Sequence, residues 1–219
     1  MRLKSIEEAR ELIARDTVAL HTAVNTLLIG VTEFYRDPPA FEMLEDWLEH
    51  ENRRMTRPWR VWSVGCSDGA ELYTVAMLLH HMDALRDAEL VGSDCRAEAI
   101  ARAERGVYHR GLIRHLPESL LPYLRTKNAT HVQPIDPIRR ATRWQVADVL
   151  DDPPPVGSFD LILCRNMGIY LDGAAASGLW RKLCAALRPG GVLMTGHAEQ
   201  PSGVARLCRM ASCLYCKES

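Results

Sequence analysis

From Arg60 onward, short apolar runs alternate with single helical segments, and this alternation restricts the fold more than any other feature of the chain. The run "RVWSVG" (60–65) lacks the in–out pattern of a strand with one wet face, as expected of a strand covered on both sides. A helix is expected over about 70–84, with Leu72, Val75, Ala76 and Leu79 turned inward. "ELVGSD" (89–94) reads as a strand, "AEAIARAERG" (97–106) as a helix, and "TRWQVADVL" (142–150) and "SFDLILCRN" (158–166) as strands. A helix over about 174–187 closes on Pro189, Gly190 and Gly191 before the strand "GVLMTG" (191–196). Strands joined by single helices pair side by side in parallel, so the expected class is α/β with a doubly wound, mostly parallel sheet.

Two stretches depart from that rhythm. Residues 107–142 are too long for a plain crossover and too rich in turn residues for one helix, which suggests a small inserted β-subdomain, a helical turn followed by an antiparallel ribbon. The segment "RMASCLYCKES" (209–219) is β-rich and is expected to add an antiparallel C-terminal edge strand. Ahead of the alternation, residues 1–50 look helical. Ser5 and Glu8 form a capping box, an apolar stripe runs to Leu27, and a second helix starts at Asp37 with Pro38 and Pro39 in its first turn and Phe41, Leu44, Trp47 and Leu48 buried. The expected division is N-terminal helices over 1–50 and a ligand-binding domain over 51–219 that carries the insertion.

Charge and cysteine usage exclude several function classes. With 27 basic and 28 acidic residues the net charge is -1, so no global field would hold a polyanion, and no nucleic acid partner is expected. No segment builds an apolar span or a secretory signal, so we expect no direct membrane insertion and a cytoplasmic protein. The seven cysteines are odd in number and scattered, which suits reduced thiols rather than disulfides. Cys213 and Cys216 have metal-like spacing but no second pair, so no metal is expected.

The turn after the first strand, Gly65-Cys66-Ser67-Asp68-Gly69, admits two readings. It fits the G-x-S-x-G pattern of a hydrolase, with Asp160 and His197 following in the right order. A hydrolase elbow, however, comes late in its sheet and after an oxyanion loop, whereas this turn follows the first strand. First-strand glycine turns belong instead to nucleotide-binding folds, where the backbone approaches a ligand at a helix N-terminus. Ser67 stands where the second glycine of G-x-G-x-x-G would clear a pyrophosphate, which favours a ligand without phosphate at this point. Asp94, at the carboxyl end of the second strand, is placed to accept from both ribose hydroxyls; it could also cap the following helix. An adenosyl ligand without phosphate at such a turn points to S-adenosylmethionine.

In their order and spacing, "VTEFYRDPPAFEML", "RVWSVGCSDGAELYTVAMLL", "GSDCRAEAIARAERGVY", "FDLILCRNMGIYLD", "LRPGGVLMTGHAE" and "LYCK" resemble the chemotaxis-receptor glutamate methyltransferases of the CheR type. The resemblance runs from about Thr26 to Lys217 and implies a class I, Rossmann-like methyltransferase sheet with a small β-subdomain. It implies S-adenosylmethionine as cofactor, with Thr32 and Arg36 over it, Gly65 under it, Glu71 at its polar end, Asp94 on the ribose, and Asp148 and Val149 beside the adenine. Cys164 and Arg165 would border the transfer pocket and Tyr170 would close it, with Arg165 and Tyr170 carrying catalysis. Plainer roles exist: a surface salt bridge for Arg36, core packing for Tyr170, a buried strand position for Cys164. Arg165 is different, because an arginine at the mouth of so apolar a strand needs a partner.

Methyl transfer from a sulfonium to a carboxylate is an in-line displacement that depends chiefly on alignment, and it needs neither a metal nor a general base. The resemblance also has departures. The family's basic helical docking domain precedes the "TEFYR" segment, whereas residues 1–31 here include Glu7, Glu8, Glu11 and Asp16, so most of that domain is expected to be lacking. A paired "EE" followed by proline is Ala70, Glu71 and Leu72, and two usual asparagines are Gly30 and Asp148. The expected acceptor is a carboxylate, on a protein glutamate or on a small-molecule acid, and a non-catalytic cofactor-binding module is the remaining reading.

Overall fold

The computed structural model describes residues 32–152, 154 and 159–218. The capping box at Ser5, the stripe through Leu27 and the departure at Gly30 lie outside the described residues. From Thr32 the chain forms one compact unit.

Among the described residues, seven strands make one sheet: β1 (Arg60–Val64), β2 (Glu89–Asp94), β6 (Thr142–Val146), β7 (Phe159–Cys164), β8 (Leu187–Thr195), β9 (Leu207–Arg209) and β10 (Leu214–Lys217). Their spatial order is β6-β2-β1-β7-β8-β10-β9. The first five are parallel, with Val61 paired to Leu161 and Val64 to Cys164 across β1 and β7. β10 runs antiparallel to β8, and β9 antiparallel to β10. The antiparallel addition is therefore a pair of strands. The last strand in the chain lies second from the edge, where Leu214 and Tyr215 are buried, and the shorter β9 with exposed Cys208 and Arg209 forms the rim.

Helices cover both faces, which explains the unbroken apolar runs. Along β7, Leu161 and Leu163 join one core cluster with Phe41 and Leu44 of α1 (Pro38–Asn52) and Leu72 and Leu79 of α2 (Ala70–His81). Ile162 and Cys164 point the other way, into a cluster with Trp62, Val64 and Leu179, Trp180 and Leu183 of α5 (Gly173–Ala186). Helix α1, placed by its sequence among the N-terminal helices, is thus built into the same core as the sheet. α3 (Ala97–Arg105) follows β2 and ends on Gly106 in the left-handed conformation, as a glycine C-cap should.

The insertion contains a second, three-stranded antiparallel sheet in the order β3-β5-β4, from β3 (Tyr108–His109), β4 (Leu124–Thr126) and β5 (His131–Pro134), with two 3₁₀ turns between β3 and β4. The short helix α4 (Asp136–Ala141) leads back to β6. Phe34 binds the insertion to the segment before α1: its N–H donates to the Leu112 carbonyl at 3.0 Å, and its ring meets Tyr108 edge-on at 4.8 Å.

Candidate functional site

The carboxyl ends of β1, β2 and β7 meet around the glycine turn. Gly65, Ser67 and Gly69 all have positive φ, at 63°, 51° and 87°, so this short loop reverses tightly into α2. Gly65 is exposed, and a Cβ there would stand 3.0 Å from the Met167 sulfur; its bare backbone leaves an approach that a side chain would close. Gly69 caps α2 without a side-chain bond, leaving the helix's first N–H groups directed at the turn. Thr32 hydrogen-bonds the Asp68 carboxyl, which burial holds above its ordinary pKa.

Asp94 stands beside this turn, at 5% exposure. Its carboxylate accepts from the Ser67 N–H at 2.9 Å, from the Arg96 N–H at 3.0 Å, and from the Arg96 guanidinium at 2.9 and 3.2 Å. Arg96, not Asp94, occupies the N-cap position of α3. Asp94 therefore locks the turn to β2, and Arg96 shares its charge.

Arg165 follows β7 and lies almost wholly buried, its side chain 4% exposed. Its Nη2 is 3.4 Å from Asp37 and its Nη1 3.4 Å from Glu71, while the guanidinium lies over the Phe41 ring at 5.3 Å. Nε has no partner. Both ionic contacts are longer than the 2.7–2.9 Å typical of charge-assisted bonds, so the cation is neutralised but poorly saturated. Glu71 is fixed from below by the Ser63 hydroxyl at 3.0 Å. Asp37 stands at the N-cap position of α1, as expected, but at φ 69° its side chain makes no cap bond and reaches instead toward Arg165 and, at 2.8 Å, the His197 imidazole. Cys164 is fully buried, and burial with Glu199 and Glu71 nearby pushes its thiol well up, so it remains protonated and serves as packing.

The other sequence candidates spread around this centre. Arg36 is half-buried, beside Asp37. Val149 is buried against Trp62 and Val64, and Asp148 closes a turn by accepting the Leu150 N–H at 2.9 Å. Tyr170 ends a 3₁₀ turn (Gly168–Tyr170) and is 62% exposed, so core packing is not its role.

One residue that organises the site had been given no role. Glu199 is 4% exposed and accepts from the backbone N–H groups of Asn166 (2.6 Å), Met167 (2.8 Å), Gly168 (2.5 Å) and Gly196 (2.8 Å). Four donors on one buried carboxylate fix the loop that joins Arg165 to Tyr170. The available signal was an acid just past the last parallel strand, in "TGHAE".

The hydrolase arrangement is absent. Asp160 lies at the opposite end of β7, fully buried, bound by Arg57, Arg188 and the Arg60 N–H, while His197 faces Asp37. Ser67 meets neither; its hydroxyl accepts from Arg96 at 3.3 Å.

Residues 30–215 match the family described as CheR methyltransferase, SAM binding domain. The chain belongs to the CheR family. Chemotaxis protein methyltransferase 2 of Pseudomonas aeruginosa is 30% identical to this CheR chain over 208 residues, covering 91% of it and 73% of the relative. Chemotaxis protein methyltransferase 2 of Vibrio cholerae is 29% identical over 199 residues, covering 86% and 68%. Among solved structures, the citrinin polyketide synthase CMeT domain is 18% identical over 85% of this chain and 41% of that one, with a TM-score of 0.48. The protein is a CheR-type, S-adenosylmethionine-dependent methyltransferase. Its residues fit that cofactor: an accessible turn without a Cβ at Gly65, a buried acid at Asp94, and a buried cation whose Nε lacks a partner. No described helix is long and apolar enough to cross a membrane.

Proposed function

We propose that this CheR-type enzyme esterifies the side-chain carboxylate of a protein glutamate, and that Arg165 and Tyr170 handle the acceptor. The observation that carries the proposal is the state of Arg165: a buried guanidinium with two 3.4 Å contacts and an unpartnered Nε. An incoming carboxylate would find donors there that no described residue saturates. Protein acceptors are favoured because the relatives are named chemotaxis protein methyltransferases.

In this reading Gly65 lies under the cofactor and Asp94 takes its ribose, with Arg96 giving up part of its hold. Glu71 binds the polar end, Asp148 and Val149 border the adenine, Thr32 and Arg36 cover it, and Cys164 lines the floor. When bound, the cofactor supplies an electrophilic methyl group on a sulfonium. The residues of the chain have only to align and dehydrate. A glutamate carboxyl, with an ordinary pKa near ~4.3, is already ionised at neutral pH and needs no base. Asp37 and Glu71 keep Arg165 from gripping the acceptor so firmly that the ground state is stabilised as much as the transition state. Tyr170, exposed at the end of the loop that Glu199 fixes, sets the angle of approach.

The test uses methyl-labelled cofactor, the protein and cell extract. Label bound to protein and released as methanol by mild alkali is the expected result. Alkali-labile label confined to small extractable molecules would move the acceptor to a small-molecule acid, and cofactor binding without transfer to any fraction would leave a non-catalytic module.

A further inference from the structure

A compact set of donor atoms gathers at Asp37, whose Oδ2 also meets Arg165 at 3.4 Å. One atom each of Asp37, His197 and Cys213 fall within 4.8 Å of one another. His197 Nε2 is 2.8 Å from Asp37 Oδ2, and His197 Nδ1 is 3.4 Å from Cys213 Sγ. One ring nitrogen would ligate; around a tetrahedral zinc with bonds of roughly 2.0–2.3 Å neighbouring donors stand about 3.3–3.7 Å apart, so a set lying within 4.8 Å has to contract to enclose an ion. A hydrogen-bond relay through the imidazole would look different. The two ring nitrogens point away from each other, so relay partners stand on opposite edges of the ring, farther apart than the carboxylate and sulfur found here.

The surroundings suit an ion as well. The thiol is fully buried while His197 is 57% exposed, so the set runs from the interior to solvent and leaves an outward position for water. The Ser212 hydroxyl donates to the Cys213 sulfur at 3.7 Å. Three elements hold the ligands independently: the residue before α1, the loop after β8, and the residue before β10. We propose that Asp37, His197 and Cys213 bind one borderline-soft divalent cation of the Zn²⁺ class, in a site with an open fourth position. One sulfur, one nitrogen and one oxygen donor select such an ion over Mg²⁺ or Ca²⁺. The ion is not needed for methyl transfer; it competes with Arg165 for Asp37. Loading would therefore change the acceptor KM while cofactor affinity stays constant, a consequence that rests on the proposed role of Arg165, whereas the binding itself does not.

Cobalt(II) titrated into metal-stripped, full-length protein tests the site directly. The expected result is one ion per chain with a thiolate-to-cobalt charge-transfer band, displaced by Zn²⁺. The band should vanish in Cys213→Ser, weaken at least tenfold in affinity in His197→Gln, and persist when Cys208 and Cys216 are both replaced by serine. His197 is exposed, so His197→Gln keeps the test decisive if Cys213→Ser does not fold, and uptake of S-adenosylhomocysteine reports the fold independently. Absence of the band, its survival in either single variant at native affinity, or its loss in the Cys208/Cys216 variant would overturn the proposal.

Discussion

At the scale of single residues, the account rests on how charges are held where water is excluded. Replacing Arg165 by alanine removes the cation proposed to meet the acceptor but none of the contacts at Gly65 or Asp94. Turnover should fall by about 10²-fold or more, the cost typical of lost alignment, with cofactor affinity nearly unchanged; steady-state kinetics beside calorimetry checks it, and equal losses in both would make Arg165 a cofactor anchor. Glu199→Gln should act at a distance. A neutral amide cannot accept from all four backbone N–H groups that Glu199 gathers, so the loop from Asn166 to Gly168 loosens. A loss of about 2–3 kcal/mol in thermal stability and a lower kcat with an unchanged cofactor Kd are expected; an unaltered kcat would show that the loop needs no such anchor. Arg165 was legible in the sequence because a cation at the end of "FDLILC" demands explanation wherever it folds. Asp37 marked the start of α1 correctly, but the reach of its side chain to Arg165 and His197 depends on long-range packing and has no local signature. Glu199 offered only its place just past the last parallel strand, because its partners are backbone groups and backbone groups leave no trace in composition.

At the scale of elements, β1 with its turn and β7 with its loop carry the site. Gly65→Ala forces a Cβ into the left-handed region and against Met167, which should cost about 1–2 kcal/mol. Adding Met167→Ala relieves the contact but not the φ, so a thermal melt of the double variant should recover only part of the loss; full recovery would mean the turn carries no backbone strain. At the far end of β7, Asp160 joins β1, β7 and β8 through Arg57, Arg188 and the Arg60 N–H. Burial works against its ionisation, yet the two guanidiniums and the backbone donor bring its pKa below the ordinary value. A depressed carboxylate contributes stability that is present above the unfolded pKa, near ~3.9, and lost as pH falls through the folded value. Asp160→Asn should therefore cost about 3 kcal/mol at neutral pH, and the gap between variant and parent in denaturant melts should narrow steadily below about pH 4. A gap that stayed constant down to pH 2 would contradict the pairing. The periodicity of the sequence located every strand of the parallel sheet to within a few residues. It could not order β9 and β10, because which strand takes the rim is decided by burial of Leu214 and Tyr215 against β8, a long-range contact with no local signature.

At the scale of the whole molecule, one doubly wound sheet presents the carboxyl ends of three strands to a single turn, and the insertion adds a small antiparallel sheet fastened to the segment before α1. The long irregular stretch at 107–142 was recognisable as an insertion because no crossover needs that length; its third strand, the two residues Tyr108–His109, is too short to register as a pattern. The central claim concerns the cradle from Gly65 to Gly69 facing Asp94. The most direct test is calorimetric titration of S-adenosylhomocysteine into the native protein and into Asp94→Ala side by side. One equivalent taken up by the native protein, and affinity at least tenfold weaker in the folded variant, is the expected result. No uptake by correctly folded native protein, or equal affinity in both, would contradict it.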